Sequence, residues 1–217
     1  MGRVFYSLVR YGTMPVYRLF AKGQTIGSHN VPLQGGLVLA ANHSSFLDTM
    51  CLVAEMPRQI RFITLDEIIA QPVLGKFVHG MTAIPVSREQ STARAVLPLV
   101  RALRAGEVVG VFPEAGIRPL STSVLTGGGF QPGIARLSLL GRAPILPVAV
   151  LDAARFHAVS AWLPLKRTPY LVAFGEPLWP RCDLLDPVQE LNQRLSQSFQ
   201  TLYQQALTKS GYVSQMK

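Results

Sequence analysis

The chain is predicted to be an α/β protein, with a mixed, largely parallel sheet of about six or seven strands covered by helices. Three observations lead there. Short apolar runs of strand length alternate with amphipathic stretches of helix length along the chain. The runs are apolar throughout, as strands buried on both faces are. And 217 residues, 48% of them hydrophobic, suit one domain with a substantial core.

The elements follow in order. A helical N-terminal segment spans residues 3–22, and Pro15 should divide it into two short helices. A turn rich in Gly, Asn and Pro covers 27–36. "LVLAANH" (37–43) reads as the first strand, and "SSFLDTMCLVAEM" as a helix with Ser44 or Ser45 as N-cap. "IRFITLDE" (60–67) and "MTAIPV" (81–86) are the next strands, with helix and loop between them. "TARAVLPLVRALRAG" (92–106) is an amphipathic helix ended by Gly106. "VVGVFPE" (108–114) is a strand, "PGIARLSLLGRA" a helix, "PILPVAVL" a strand and "PYLVAFGEPL" (169–178) the sixth. Pro147 suggests an edge or a bulge. A last helix runs from about residue 184 to 207.

The formal charge is +9 and the pI about 10.1. Nucleic acid, an anionic membrane or phosphate-bearing substrates would all suit it. No dense basic run or basic–aromatic interleaving marks a nucleic-acid module, so no nucleic-acid partner is expected. The first acidic residue is Asp48, and Arg3, Arg10, Arg18 and Lys22 precede it. At about 100° per residue, Arg3, Ser7, Arg10, Met14, Arg18 and Lys22 share one side of the N-terminal segment. Phe5, Leu8, Val9, Val16, Leu19 and Phe20 share the other. Such a segment lies in a membrane interface, or packs on the core with a solvated basic face. Mean hydropathy of +0.26 favours the interface. The expected division is an interfacial segment at 1–26 and an α/β domain at 27–217. No apolar run is long enough to span a bilayer. Cys51 and Cys182 match no metal or redox spacing and read as reduced thiols.

Two strand ends carry candidate chemistry, as strand C-termini do in α/β folds. His43 ends the first strand and Asp48 follows five residues later. On one regular helix residues five apart point about 140° from each other, which forbids a dyad. With His43 on the strand-end loop, the chain can bend Asp48 back to the ring. Asp48 would fix the imidazole tautomer, and the other ring nitrogen could take a proton from an alcohol. The same residues also suit a capped helix with an incidental histidine. A metal site is not expected, because His29, His79 and His157 stand alone. The second end is "VFPEAGIRPLS" (111–121), which places Glu114 at a strand end, Gly116 in a turn and Arg118 in reach of an anion.

"NHSSFLD" resembles the NHx₄D signature of glycerolipid acyltransferases, the family that includes the 1-acylglycerol-3-phosphate (lysophosphatidate) acyltransferases. "FPEAGIR" is similar to that family's FPEG-type block, Arg88 in "TAIPVSR" to the arginine of its second block, and "PILPVAV" to its fourth. The blocks stand in family order across residues 37–150. The resemblance implies acyl transfer from a thioester to a lysolipid hydroxyl, with no covalent acyl-enzyme. It makes His43 the general base and Asp48 its orienter. Glu114 and the Gly116 loop would hold the acceptor's head, and Arg88 and Arg118 its phosphate. The expected donor is acyl-CoA or acyl carrier protein as co-substrate, with no other cofactor. The expected site of action is the cytoplasmic face of a membrane, held peripherally. Another lysolipid acceptor, such as a lyso-ornithine lipid, is the alternative. Two departures stand out. Ala115 replaces the glycine usual after the glutamate, and Arg118 comes four residues after Glu114 instead of three.

Overall fold

The computed structural model describes residues 2–72, 75–76, 80–81, 83–86, 92–157 and 167–209. Seven strands form one sheet: β1 (Ala21–Ile26), β2 (Leu37–Ala41), β3 (Ile60–Leu65), β4 (Ile84–Val86), β5 (Val108–Val111), β6 (Ile145–Leu151) and β7 (Thr168–Phe174). Their order is β1-β7-β6-β2-β5-β3-β4, and every pairing is parallel except β6 with β7. The predicted mixed, largely parallel sheet is what forms.

Among the described residues the α-helices with full bounds are α1 (Gly2–Leu8), α2 (Met14–Phe20), α3 (Asp48–Glu55), α4 (Asp66–Ile69), α5 (Thr92–Arg104), α6 (Gly133–Gly141) and α7 (Pro187–Lys209). They cover both faces. Every residue of β2 and β6 is buried, and the side chains divide alternately between two apolar layers. Leu39, Val148 and Val150 join α2 and α3 on one face. Val38, Ala149 and Leu151 join α5, α6 and α7 on the other. This double burial is why β2 reads as a continuous apolar run.

Three expectations change. First, β1 is an additional edge strand inside residues the sequence assigns to the interfacial segment. It pairs Ala21–Ile26 with Thr168–Ala173. Second, the helix break lies at Val9–Thr13, a π-helical turn just before Pro15. Proline has no N–H to give to the carbonyl four residues back, and the wider turn absorbs the missing bond. The turn also shifts the helical phase. Tyr6, Val9, Met14 and Tyr17 therefore enter the core, while Leu8, Tyr11, Val16 and Leu19 stay exposed. Met14 thus leaves the basic face and Val9 the exposed apolar one. Third, of the edge or bulge expected at Pro147, the edge is excluded, because the residue lies in a central strand, and a bulge forms opposite it. Pro147 sits where β7 ends: its carbonyl accepts from Gly175 N–H, and the partner chain bulges by one residue before Ile145 pairs with Leu178.

The N-terminal helices are tied to α3. Tyr17 Oη lies 3.3 Å from Cys51 Sγ, and Tyr170 Oη and Thr25 Oγ1 donate to the two oxygens of Glu55. Burial pushes the Cys51 thiol up to about 12, so it stays protonated at neutral pH. α3 is the helix that opens on Asp48.

Candidate active site

The site forms where β2 and β5 release their chains at the C-terminal edge of the sheet. α3 begins at Asp48, later than the predicted cap at Ser44 or Ser45, and Leu47 takes the capping position without a side-chain bond. The turn over 44–47 is closed instead by the carboxylate of Asp48. Its Oδ2 accepts from Ser44 N–H at 2.7 Å and Ser45 N–H at 2.8 Å, and its Oδ1 from Ser44 Oγ at 3.2 Å. The turn carries the chain back, so that His43 Nδ1 lies 3.0 Å from Asp48 Oδ2. Asp48 is fully buried, while the imidazole keeps 16% of its surface. A buried carboxylate needs such donors, and these hold it in one orientation.

Nδ1 facing a carboxylate carries the proton, which leaves Nε2 as the basic nitrogen. The ring stacks on Phe112 with centroids 4.1 Å apart and planes 17° apart, and Phe112 stacks on Phe62. His43 is therefore braced on its face by β5 and at one nitrogen by α3.

Glu114 comes to the same place, with its carboxylate turned into the protein. It is 2% exposed. Its Oε2 accepts from the backbone N–H of His43 at 2.6 Å. Its Oε1 accepts from Ser123 Oγ at 2.7 Å and Val124 N–H at 2.8 Å. Both oxygens are engaged by the protein. The His43 carbonyl accepts from Arg118 N–H at 2.8 Å, so both backbone groups of His43 are held by the segment after β5.

Arg118 stands on the wall of a cleft of about 190 Å³ that is also lined by the two chain neighbours of His43, Asn42 and Ser44, and by Leu120, Asp152 and Tyr203. One guanidinium nitrogen donates to Gly129 O at 3.0 Å. The four-residue spacing from Glu114 thus still leaves this arginine on the cleft wall. Gly116 is exposed, and a Cβ there would meet nothing within 4 Å. Arg88 lies outside the described residues. Among the described residues no group of three His, Cys, Asp or Glu side chains could hold a metal ion.

The sequence profile of the acyltransferase family matches residues 23–151, more than half of the chain, with His43, Asp48, Glu114 and Arg118 inside the match. The chain belongs to the acyltransferase family. It is 31% identical over 151 residues to the 1-acyl-sn-glycerol-3-phosphate acyltransferase of Bacillus subtilis (strain 168), covering 69% of this chain and 70% of that one. It is 39% identical over 84 residues to the protein of that name from Neisseria gonorrhoeae, covering 37% of this chain and 31% of that one. In fold it is similar to the crystal structure of the 1-acyl-sn-glycerophosphate (LPA) acyltransferase, PlsC, from Thermotoga maritima. The TM-score is 0.65 and the identity 18%, over 92% of this chain and 80% of that chain.

Membership in the acyltransferase family makes Ala115 informative. Its φ is 57°, in the left-handed region where a Cβ is strained by about 1–2 kcal/mol. Glycine, the usual residue after the glutamate, would relieve it. Ala115→Gly is expected to stabilise the protein by about 1 kcal/mol, after glycine's larger unfolded-state entropy is deducted. Denaturant unfolding at constant m-value checks it, and a lower midpoint would refute the strain.

Three contributors carry no role in the sequence reading, and a fourth, Ser44, is expected there only as a helix cap. Asn42 precedes His43 inside the quoted motif. Phe112 stands inside "FPEAGIR". Ser44 contributes main-chain and hydroxyl donors to Asp48. Ser123, nine residues past Glu114, reaches it through a loop that no local pattern announces.

Proposed function

We infer that this enzyme moves a fatty acyl chain from a thioester to the free hydroxyl of a lysophospholipid, with 1-acylglycerol-3-phosphate as acceptor and phosphatidate as product. The observation that carries the reading is the His43–Asp48 pair at a strand end, with Nδ1 held 3.0 Å from the carboxylate and the imidazole still partly exposed. His43 Nε2 takes the proton of the acceptor hydroxyl as that oxygen attacks the thioester carbonyl. The tetrahedral intermediate collapses, the C–S bond breaks, and the imidazolium returns the proton to the leaving thiolate. Asp48 stabilises the imidazolium while it lasts. Glu114 fixes the His43 backbone, and Arg118 and Arg88 contact the acceptor phosphate. The names of the relatives favour 1-acylglycerol-3-phosphate over a lyso-ornithine lipid.

The test mixes pure protein, acyl-CoA or acyl carrier protein, and a panel of lysolipids, and follows thiol release. Release that depends on lysophosphatidate is expected. Release indifferent to the acceptor, or greater with lyso-ornithine lipid, would overturn the assignment.

The N-terminal segment serves as the membrane contact in this reading. No helix among the described residues is long and apolar enough to cross a membrane. Leu8, Tyr11, Val16 and Leu19 are each more than half exposed, with Arg18 exposed among them. Apolar side chains of this kind enter an acyl boundary, and arginine meets anionic headgroups. Removing residues 1–22 would strip Tyr6, Met14 and Tyr17 from the core, so surface substitutions are the cleaner probe. Changing Leu8 and Leu19 together to serine is expected to weaken sedimentation with anionic vesicles at least about tenfold, roughly 1.4 kcal/mol. Unchanged sedimentation would reassign this face.

A further inference from the structure

We propose that Asn42 is a positioning residue for the reaction, and that it acts by ending the β2–β6 ladder one residue before the histidine. This rests on the reading of His43 as the general base. β2 and β6 run parallel in register as far as Ala41 opposite Val148. Continued pairing would have the main-chain carbonyl of residue 42 accept from Val150 N–H. The side chain takes that place. Asn42 Oδ1 accepts from Val150 N–H at 2.7 Å, and Asn42 Nδ2 donates to Val150 O at 2.9 Å. One partner is a donor and the other an acceptor, so the amide has a single orientation. Asn42 is only 3% exposed, and both bonds are buried.

The consequence falls on the next residue. With Val150 satisfied by the amide, the chain can leave the sheet without orphaning β6. The main chain of His43 then turns to the segment after β5, giving its N–H to Glu114 and receiving Arg118 N–H. The imidazole is carried from β2's register into the turn where Nδ1 meets Asp48. Few other side chains can do this. Aspartate lacks the donor for Val150 O. Glutamine adds a methylene and would push the strand end outward. Alanine leaves Val150 N–H and C=O without partners in a buried position.

The readout is the far-downfield proton resonance of the His43 Nδ1–H bonded to Asp48, recorded without substrate alongside steady-state kinetics. Its assignment is fixed by its loss in His43→Ala. In Asn42→Ala the resonance should vanish or broaden, and kcat should fall about 10²-fold, the scale expected for a group misplaced by about 1 Å. KM for the acceptor should stay within about twofold. If Asn42→Ala does not fold, Asn42→Asp decides, because it keeps an acceptor for Val150 N–H and sets a carboxylate oxygen against Val150 O where the donor was. An intact resonance with unchanged kcat in either folded variant would overturn the proposal. So would a raised KM with kcat unmoved, since that marks a residue that binds substrate. If the wild type acylates no lysolipid but the resonance still depends on Asn42, the reaction assignment falls and the positioning role stands.

Discussion

Replacing His43 with alanine is expected to lower kcat by about 10²–10⁴-fold, the usual worth of a positioned general base. The protein should remain folded. The imidazole is partly exposed, its stacking partner Phe112 also packs on Phe62, and Asp48 keeps its bonds to Ser44 and Ser45. The loss should therefore appear in thiol release with little change in thermal midpoint. Asp48→Asn is the companion variant. An amide oxygen can still accept the two backbone N–H groups, so the turn should survive. The charge that stabilises the imidazolium is gone, and kcat should again fall by at least about 10²-fold. Asp48→Ala differs, because it leaves those N–H groups buried without an acceptor and should cost stability as well. A His43→Ala protein retaining more than about a tenth of wild-type kcat would exclude His43 as the base.

Where the sequence and the fold agree, the cause is double burial. β2 and β6 are covered on both faces, and only continuous apolar runs satisfy that environment. β1 was illegible for the opposite reason. Its residues, "AKGQTI", are half solvated at an edge, and their strand character comes from pairing with β7. The N-terminal faces were misdivided because a constant 100° step cannot cross a π turn, which carries more residues per revolution. The contact of His43 with Asp48 was legible because a local turn builds it: five residues and a bend suffice. Glu114 was harder. Its motif marks it as special, but its partners His43 and Val124 come from distant segments that only the tertiary fold assembles. Nothing in "FPEAGIR" says that both oxygens of that carboxylate will be engaged by the protein.

That engagement gives Glu114 a distinctive expected phenotype. Glu114→Gln is nearly isosteric, yet it should behave as a severe change. The carboxylate accepts at both oxygens, from His43 N–H on one side and from Ser123 Oγ and Val124 N–H on the other. An amide accepts at one end only. Whichever way it turns, its NH₂ group faces a main-chain N–H, and a buried donor goes unmet at about 1–3 kcal/mol. The serine can rotate its hydroxyl to accept, but Val124 and His43 cannot. Stability should fall by that amount, and Glu114→Ala, which abandons all three donors, should fall further. Catalysis separates the two roles open to this residue. A side chain that grips the acceptor's head would, when changed, raise KM. One that holds the His43 backbone should lower kcat by about tenfold or more at a KM within about twofold, because displacing the base by a fraction of an ångström weakens every proton transfer it makes. Steady-state kinetics on Glu114→Gln, against a denaturant curve of the same protein, reads both effects. A raised KM with kcat intact would return Glu114 to the head-group site, and the geometry then requires its bonds to Ser123 and Val124 to open when the acceptor binds.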